Sequence, residues 1–405
     1  MAYFTQVKAK NKQGFKWVCV LEGPPDPVTG ERRQIARRGE TKKEALARAE
    51  EVVRKLKEDG IDEAKVKHLT FEEVAKEWHN VYSRGNVKPN TIRVRKNEIS
   101  VLLRYIAKAK ISKITPKMHQ DILNDLDDKG YARVTIEGVH VTANMIYKYA
   151  IKHKIIKNNP AAGAVIPTKP LTVEEVENNS IKEKYLEKTE LEDFLKVCWE
   201  YGTFQDVAVF YLLAFSGMRS GELLSLKWSD INFETNEIRI TKTMYNPNCN
   251  MRKYLLTTPK TKGSIRTVDV DETVIELLKR HKENQEKEKK LRGEDEEYHN
   301  GNFVFCHKNG YPYVQRNLIM WMERLIKHTN ITKKATPHIF RHTHISMLAE
   351  AGVDLPTIMK RVGHEDQETT LKIYTHVTEK MKKNANDKIK NYFQDILNHK
   401  KQQEM

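Results

Sequence analysis

Apolar and polar residues alternate in two short runs near the start of the chain, Tyr3 to Val7 and Phe15 to Leu21. A period of two marks a half-buried strand. The stretch GPPDPVTG that follows is built from turn formers, and Arg32 to Arg38 offers a third strand. From Thr41 the period lengthens. Ala45, Ala49, Val52 and Leu56 fall on one helical face, with Thr41 and Glu44 at capping-box spacing ahead of them. Residues 1–65 are therefore predicted to form a small domain, a three-stranded sheet with one helix.

Helical periodicity then runs on to about residue 165. Phe71, Val74, Trp78 and Val81 make one stripe, and Ile92, Ile99, Leu102, Leu103 and Ile106 a second. Ile136, Val139, Ala143, Tyr147 and Ala150 make a third. Thr115-Pro116 joins a capping side chain to a proline at the first helical position. The pattern predicts a four-helix bundle over residues 68–165, with Arg93, Arg95, Lys96 and Arg104 on polar faces. The run NNPAAGAVIPTKPLT, rich in Pro, Ala and Gly, reads as an interdomain linker. Residues 180–405 mix helices with strand candidates at Ile231–Phe233, Glu237–Thr243, Tyr254–Thr257 and Ile265–Val270. They end in a basic amphipathic helix carrying Ile389, Tyr392, Phe393 and Ile396. The fold class expected is mainly α with small β parts, in three domains, the last of mixed α+β type.

Composition adds a partner to this picture. A chain of 405 residues, 39% of them hydrophobic, can build several cores. Its net charge of +16 suits a polyanion, because each neutralised phosphate releases condensed counterions. A solvated, Lys-rich surface is the alternative, and charge alone does not separate the two. The four cysteines are far apart and form no CxxC pair, which points to a reduced, cytoplasmic setting. No run approaches the roughly 18 apolar residues of a membrane span, and the first residues are charged where a signal peptide is apolar. No membrane partner is expected.

Candidate chemistry concentrates between residues 336 and 377, TPHIFRHTHISMLAEAGVDLPTIMKRVGHEDQETTLKIYTHV. Thr336 and Pro337 cap and start a helix, near whose N-terminus His338 and Arg341 share a face at i, i+3. The free N–H groups there favour an anion. Gly352 is placed to end that helix; a second, from about Leu355, ends at Gly363 with His364 next. Tyr374 follows ten residues later, on or near another helix. His338 and His342 have the i, i+4 spacing of zinc ligands, but HIFRH lacks the glutamate of HExxH and no Cys cluster lies nearby. Neither a metal nor a cofactor is expected.

This run resembles the C-terminal motif of the tyrosine recombinase (phage integrase) family: H-x-x-R, then G-H, then a nucleophilic tyrosine. The segment AFSGMRSGELLSLKWSDI resembles the first arginine box of the same family, with Arg219 at its catalytic position and Glu222 at that of the bracing acid. The segment TPKTKGSIRTVDV resembles the β-hairpin of the family, with Lys260 at the lysine position; Asp269 stands where many members have proline. The helical block is similar to a core-site DNA-binding domain, and residues 1–65 to the arm-site-binding domain of larger integrases.

The resemblance implies a catalytic set of Arg219, Lys260, His338, Arg341, His364 and Tyr374, with Glu222 as a brace. Arg219, Arg341 and His364 donate to the phosphoryl oxygens, His338 serves as general base, Lys260 as general acid, and Tyr374 forms a 3′-phosphotyrosine without metal or ATP. The implied partners are double-stranded DNA at core and arm attachment sites, in a homotetramer, with an excisionase and a host DNA-bending protein. The implied setting is the bacterial nucleoid and the implied biology the integration and excision of a mobile element. Thr91, Arg93, Arg95 and Lys96, and Arg32, Arg33, Arg37 and Arg38, are candidates for phosphate contact, or equally for solvated faces. A type IB topoisomerase-like enzyme, or a non-catalytic DNA-binding protein of the same fold, are the alternatives.

Overall fold

The computed structural model describes the chain except residues 1, 12, 26–31, 60–67, 169–180, 260–261, 293–297, 364–367, 369, 380, 382–385, 387–388, 390–392 and 394–405. Of residues 57–59, 262 and 292 only the backbone is described. The chain divides into two compact units, residues 1–170 and 171–405.

In the first unit, strands β1 (Tyr3–Lys8), β2 (Phe15–Glu22) and β3 (Gln34–Gly39) form an antiparallel sheet in the order β1-β2-β3. The third strand starts two residues later than the sequence suggests, which leaves Arg32 and Arg33 ahead of it. Helix α1 (Lys42–Asp59) covers one face through Ala45 and Ala49, packed on Cys19, Phe4, Trp17 and Leu21. Its cap differs in one detail from a capping box. The Thr41 hydroxyl accepts from the Glu44 N–H, but the Glu44 carboxylate reaches back one residue further, to the N–H of Glu40.

Helices α2 (Phe71–Ser83), α3 (Pro89–Ile106), α4 (Pro116–Asp128) and α5 (Arg133–Lys152) share a separate core. The Thr115 side chain caps α4 by accepting from the Met118 N–H, with Pro116 behind it. One expectation fails: Val81 is exposed, because Trp78 stacks on Tyr82, which turns the buried stripe to the i+4 position. The first half of the expected linker also belongs to the bundle. Ala161 is buried in its core, and Gln120 exchanges two hydrogen bonds of 2.8 Å with the backbone of Val165.

The second unit contains α6 (Lys188–Tyr201), α7 (Phe204–Ser216), α8 (Ser220–Leu224), α9 (Glu272–Arg292), α10 (Gln315–Ile326), α11 (Ile339–Glu350) and α12 (Leu355–Val362). Residues 370–379 are helical as well. Strands β4 (Ile231–Asn232), β5 (Glu237–Ile240) and β8 (Arg266–Asp269) pair in that order, and β6 (Thr243–Tyr245) pairs with β7 (Leu255–Thr257). The single strand expected over Glu237–Thr243 is thus two strands in different sheets. The hairpin is correspondingly β6–β7, since β7 and β8, which flank the Lys260 segment, belong to separate sheets. Ile389 and Phe393 of the tail are helical and exposed, whereas Tyr392 and Ile396 lie outside the described residues. Among the described residues no helix is long and apolar enough to cross a membrane.

Within the bundle, Arg95 links α3 to α5. Its Nη1 donates to Glu98 (2.8 Å) and to the Thr142 hydroxyl (2.9 Å), and that hydroxyl donates to Glu98. Removing one member of a buried polar set leaves the others unsatisfied. Thr142→Val is expected to destabilise the chain by about 1–3 kcal/mol despite its near-identical shape. Urea unfolding followed by circular dichroism measures this, and an unchanged midpoint would contradict it.

Candidate active site

Helix α11 crosses the second unit with buried residues on most of its circumference, yet four of them are polar: Arg341, Thr343, His344 and Ser346. Buried polar groups need partners. Thr343 donates to the Ile339 carbonyl and accepts from the Leu186 N–H, Ser346 donates to the Thr343 carbonyl, and His344 Nδ1 lies 2.9 Å from the Ala214 carbonyl. Arg341 is fully buried, its Nη1 donating to the Gly217 carbonyl (2.7 Å) and its Nη2 to that of Val362. The helix begins at Ile339, two residues later than Thr336-Pro337 suggests, so His338 occupies its cap position. Gly352, with φ of +81°, follows its end as expected.

Arg219 caps α8. Its Nη1 donates to Glu222 Oε1 (2.8 Å), and Glu222 Oε2 accepts from the Arg219 N–H (2.9 Å). Glu222 is buried and also receives Arg266, whose Nη2 lies 3.0 Å from Oε2. One carboxylate thus holds two guanidiniums. Burial works to raise the Glu222 pKa, but Arg266 and Arg219 together outweigh it and hold the group below the usual carboxylate range.

The second anchor is the end of α12. The last carbonyls of a helix have no partner within it, and they form the negative end of its dipole. Here three in a row take arginines. Arg361 O accepts from Arg266 Nε (2.7 Å), Val362 O from Arg341 Nη2 (2.5 Å), and Gly363 O from Arg219 Nη2 (3.3 Å) and the Ser264 hydroxyl (3.1 Å). Two glycines make this approach possible. Gly363 sits at φ +66°, where a Cβ would lie 3.1 Å from the Arg266 side chain; Gly217 sits at φ +63°, where a Cβ would lie 2.6 Å from the His344 ring. Three guanidiniums therefore gather beside one carboxylate, which two of them touch, an environment with surplus positive charge. Burial, Arg219 and Arg266 all press the Arg341 pKa downward, and Glu222 opposes them.

His338 stands at the edge of this cluster. Its side chain remains open to solvent, and crowding by the surrounding protein, then Arg341 and Arg219, lower its pKa to about 4, so it is neutral near pH 7. The His342 ring lies perpendicular to it, centroids 4.6 Å apart. Tyr374 lies in the 370–379 helix, half-buried against a core of Tyr185, Ile345, Ala349, Ile358, Val362 and Ile373. That core shares α11 and α12 with the arginine cluster. Lys260 and His364 lie outside the described residues.

The sequence reading brought Arg219, Glu222, His338 and Arg341 to one place but missed Arg266, His344 and Arg361. Arg266 had a readable signal: in β8 it alternates inward with Val268, and an arginine on the apolar face of a strand requires a buried partner. Among the candidate phosphate contacts, Arg93 and Lys96 are exposed on α3 with Thr91 half-buried, and Arg32, Arg33, Arg37 and Arg38 lie on or just before β3. Arg95 is committed inside the bundle and does not stand with them.

The phage integrase family model matches residues 184–381, and its N-terminal SAM-like domain model matches residues 70–126. The prophage ps2 probable integrase of Lactococcus lactis is 33% identical over 335 residues, 82% of this chain and 85% of that protein. Among solved structures, the Tn1549 transposon integrase in complex with transposon right end DNA aligns with a TM-score of 0.61 at 21% identity, covering 76% of this chain and 95% of that one. A lambda integrase tetramer bound to a Holliday junction aligns with a TM-score of 0.55 at 15% identity, over 92% and 94%.

Two predictions follow from the charge balance. Glu222→Ala strands guanidiniums in a buried place and is expected to destabilise the protein by about 3–5 kcal/mol, measurable as a fall in the denaturation midpoint, with Glu222→Gln less severe. The second concerns acid. Burial chiefly lowers His342 to about 4 and His344 to about 3, against about 6.5 in an unfolded chain. Between those values the unfolded chain binds more protons, so stability is full above pH ~6.5 and declines as the pH falls toward ~4. Urea midpoints recorded from pH 7.5 to about 5 should drop steadily; a flat profile would contradict the burial of neutral imidazoles.

Proposed function

The chain belongs to the phage integrase family of tyrosine recombinases, and on that premise we propose that it recombines a mobile element site-specifically through Tyr374. The observation that carries this reading is the convergence of Arg219 and Arg341, from segments far apart in sequence, on one helix end, with Glu222 bracing Arg219. Fixed donors aimed at developing negative charge are the largest catalytic contribution in such reactions. A scissile phosphate first meets Arg219, which keeps a third of its side chain exposed. Arg341 lies beneath, fully buried, and adds its positive charge to the same place.

Tyr374 Oη attacks phosphorus and its proton passes to His338, which is neutral near pH 7 and able to accept it. The P–O bond to the 5′-oxygen breaks, and Lys260 protonates that oxygen. His364 donates a further hydrogen bond to the phosphoryl group. The 3′-phosphotyrosine retains the energy of the original bond, so a 5′-hydroxyl from another strand reverses the step without ATP or metal.

The partner is double-stranded DNA bearing core and arm sites, with residues 68–165 on the core site and residues 1–65 on the arm site. Arg93, Lys96 and Thr91, and Arg32, Arg33, Arg37 and Arg38, supply phosphate contacts. Two binding modules on one chain raise occupancy through effective concentration. The complex is a homotetramer, as for lambda integrase on its junction, with the basic tail helix docked on a neighbouring subunit and an excisionase and a DNA-bending protein setting direction.

The test uses a duplex carrying the direct repeat that flanks the gene, nicked so that the cleaved fragment diffuses away. Wild type is expected to form a covalent protein–DNA adduct in EDTA and without ATP. Tyr374→Phe should bind the duplex equally well and form none. An adduct from that variant means the nucleophile is another residue. Relaxation of any supercoiled plasmid, with no preferred sequence, favours a topoisomerase instead.

A further inference from the structure

Resting on the chemistry proposed for Tyr374, we infer that Arg361 is a positioning residue for the reaction: its side chain locks the last turn of α12 and the Gly217–Arg219 loop, so that Arg219 and Arg341 are aimed before DNA arrives. The geometry is specific to a guanidinium. Nε donates to His344 Nε2 (3.0 Å), Nη1 to Asp269 Oδ1 (2.6 Å) and Nη2 to the Asp269 carbonyl (2.7 Å). Three nitrogens meet three acceptors on α11 and at the end of β8. A lysine, with one nitrogen, cannot reproduce that fork.

Each contact leads to the arginine cluster. Arg361 Nε can only donate, so His344 Nε2 accepts, and the remaining ring proton sits on Nδ1 and is given to the Ala214 carbonyl. The same ring lies against Gly217, whose carbonyl receives Arg341 Nη1 and which stands two residues before Arg219. On the other side, the carbonyl of Arg361 itself begins the row of three that receives Arg266, Arg341 and Arg219. Asp269, in the position where proline is common in the family, closes the frame by tying α12 to β8. Its side chain is largely exposed, with only partial desolvation to resist its charge, and the Arg361 hydrogen bond and charge hold its pKa below the usual carboxylate value. All three nitrogens of Arg361 are thus engaged with protein, and it acts through its neighbours, not on the phosphate.

The test compares wild type, Arg361→Met and Arg361→Lys on the nicked duplex, with duplex affinity, the first-order rate of adduct formation and thermal unfolding measured for each. Arg361→Met should bind within about twofold of wild type and form adduct on the order of tenfold more slowly or worse, the scale expected when reacting groups are misplaced by a fraction of an ångström to an ångström. Arg361→Lys should recover only part of the rate. The pH profile separates positioning from packing. In wild type burial is the main influence keeping His344 neutral and the Arg361 donor adds to it, with Arg341 and Arg266 also opposing its charge and the Ala214 carbonyl and Asp269 favouring it. Without Arg361, His344 protonates more readily, so the ratio of variant to wild-type rate should fall as the pH drops from about 7.5 to about 5.5. His338 is common to both proteins and cancels. Should Arg361→Met fold poorly, Asp269→Asn, whose carboxylate is 83% exposed, loosens the same fork and should give a smaller loss of the same kind. Equal rates in variant and wild type overturn the inference. So does a rate loss that matches the fraction unfolded, with a pH-independent ratio. Absence of adduct from wild type overturns the functional reading instead.

Discussion

Three guanidiniums repel one another, and the second unit is organised around keeping Arg219, Arg266 and Arg341 together. A single buried carboxylate, Glu222, neutralises part of the charge. The carbonyls at the end of α12, free of partners within the helix, add hydrogen-bond acceptors and the negative end of its dipole, three in sequence, each taking one arginine. Neither device suffices alone. A carboxylate without the helix end leaves Arg341 without its Val362 acceptor; a helix end without the carboxylate leaves most of the positive charge uncompensated in a poorly solvated place.

This balance explains the suitability of the site for a phosphodiester. The cluster retains more positive than negative charge, and in the proposed reaction a phosphate supplies what is missing. Because the donors are already oriented by protein, little reorganisation is needed as charge grows on the phosphoryl oxygens. The neutral state of His338 has the same origin. The crowding and the neighbouring guanidiniums that disfavour a proton on its ring also suit it to the base role proposed for it.

The frame around the cluster is built from backbone geometry as much as from side chains. Gly217 and Gly363 both adopt positive φ, and both stand where a Cβ would strike the His344 ring or Arg266. Tyr374 belongs to a different core, packed on the same two helices through residues such as Ile345, Ile358 and Val362. The helices α11 and α12 are therefore shared by the arginine cluster and by the segment that carries the phenol, and the rigidity of one bears on the other.

Much of this was legible from the order of residues. Periodicity placed the sheet, the bundle stripes and the ends of α4, α11 and α12, since those depend on local capping, proline and glycine chemistry. The spacing of His338, Arg341 and the Gly363 turn, with Arg219 and Glu222 upstream, pointed to residues that the fold gathers around the end of α12. What the sequence did not determine is decided by contacts across long separations. Val81 lost its place in the core to a Trp78–Tyr82 stack, β7 and β8 went to different sheets, and Arg95 turned out to be a bundle clamp. Arg266, His344 and Arg361 entered the site because tertiary packing buried them, and a buried charge or imidazole must find its partner wherever the fold provides one.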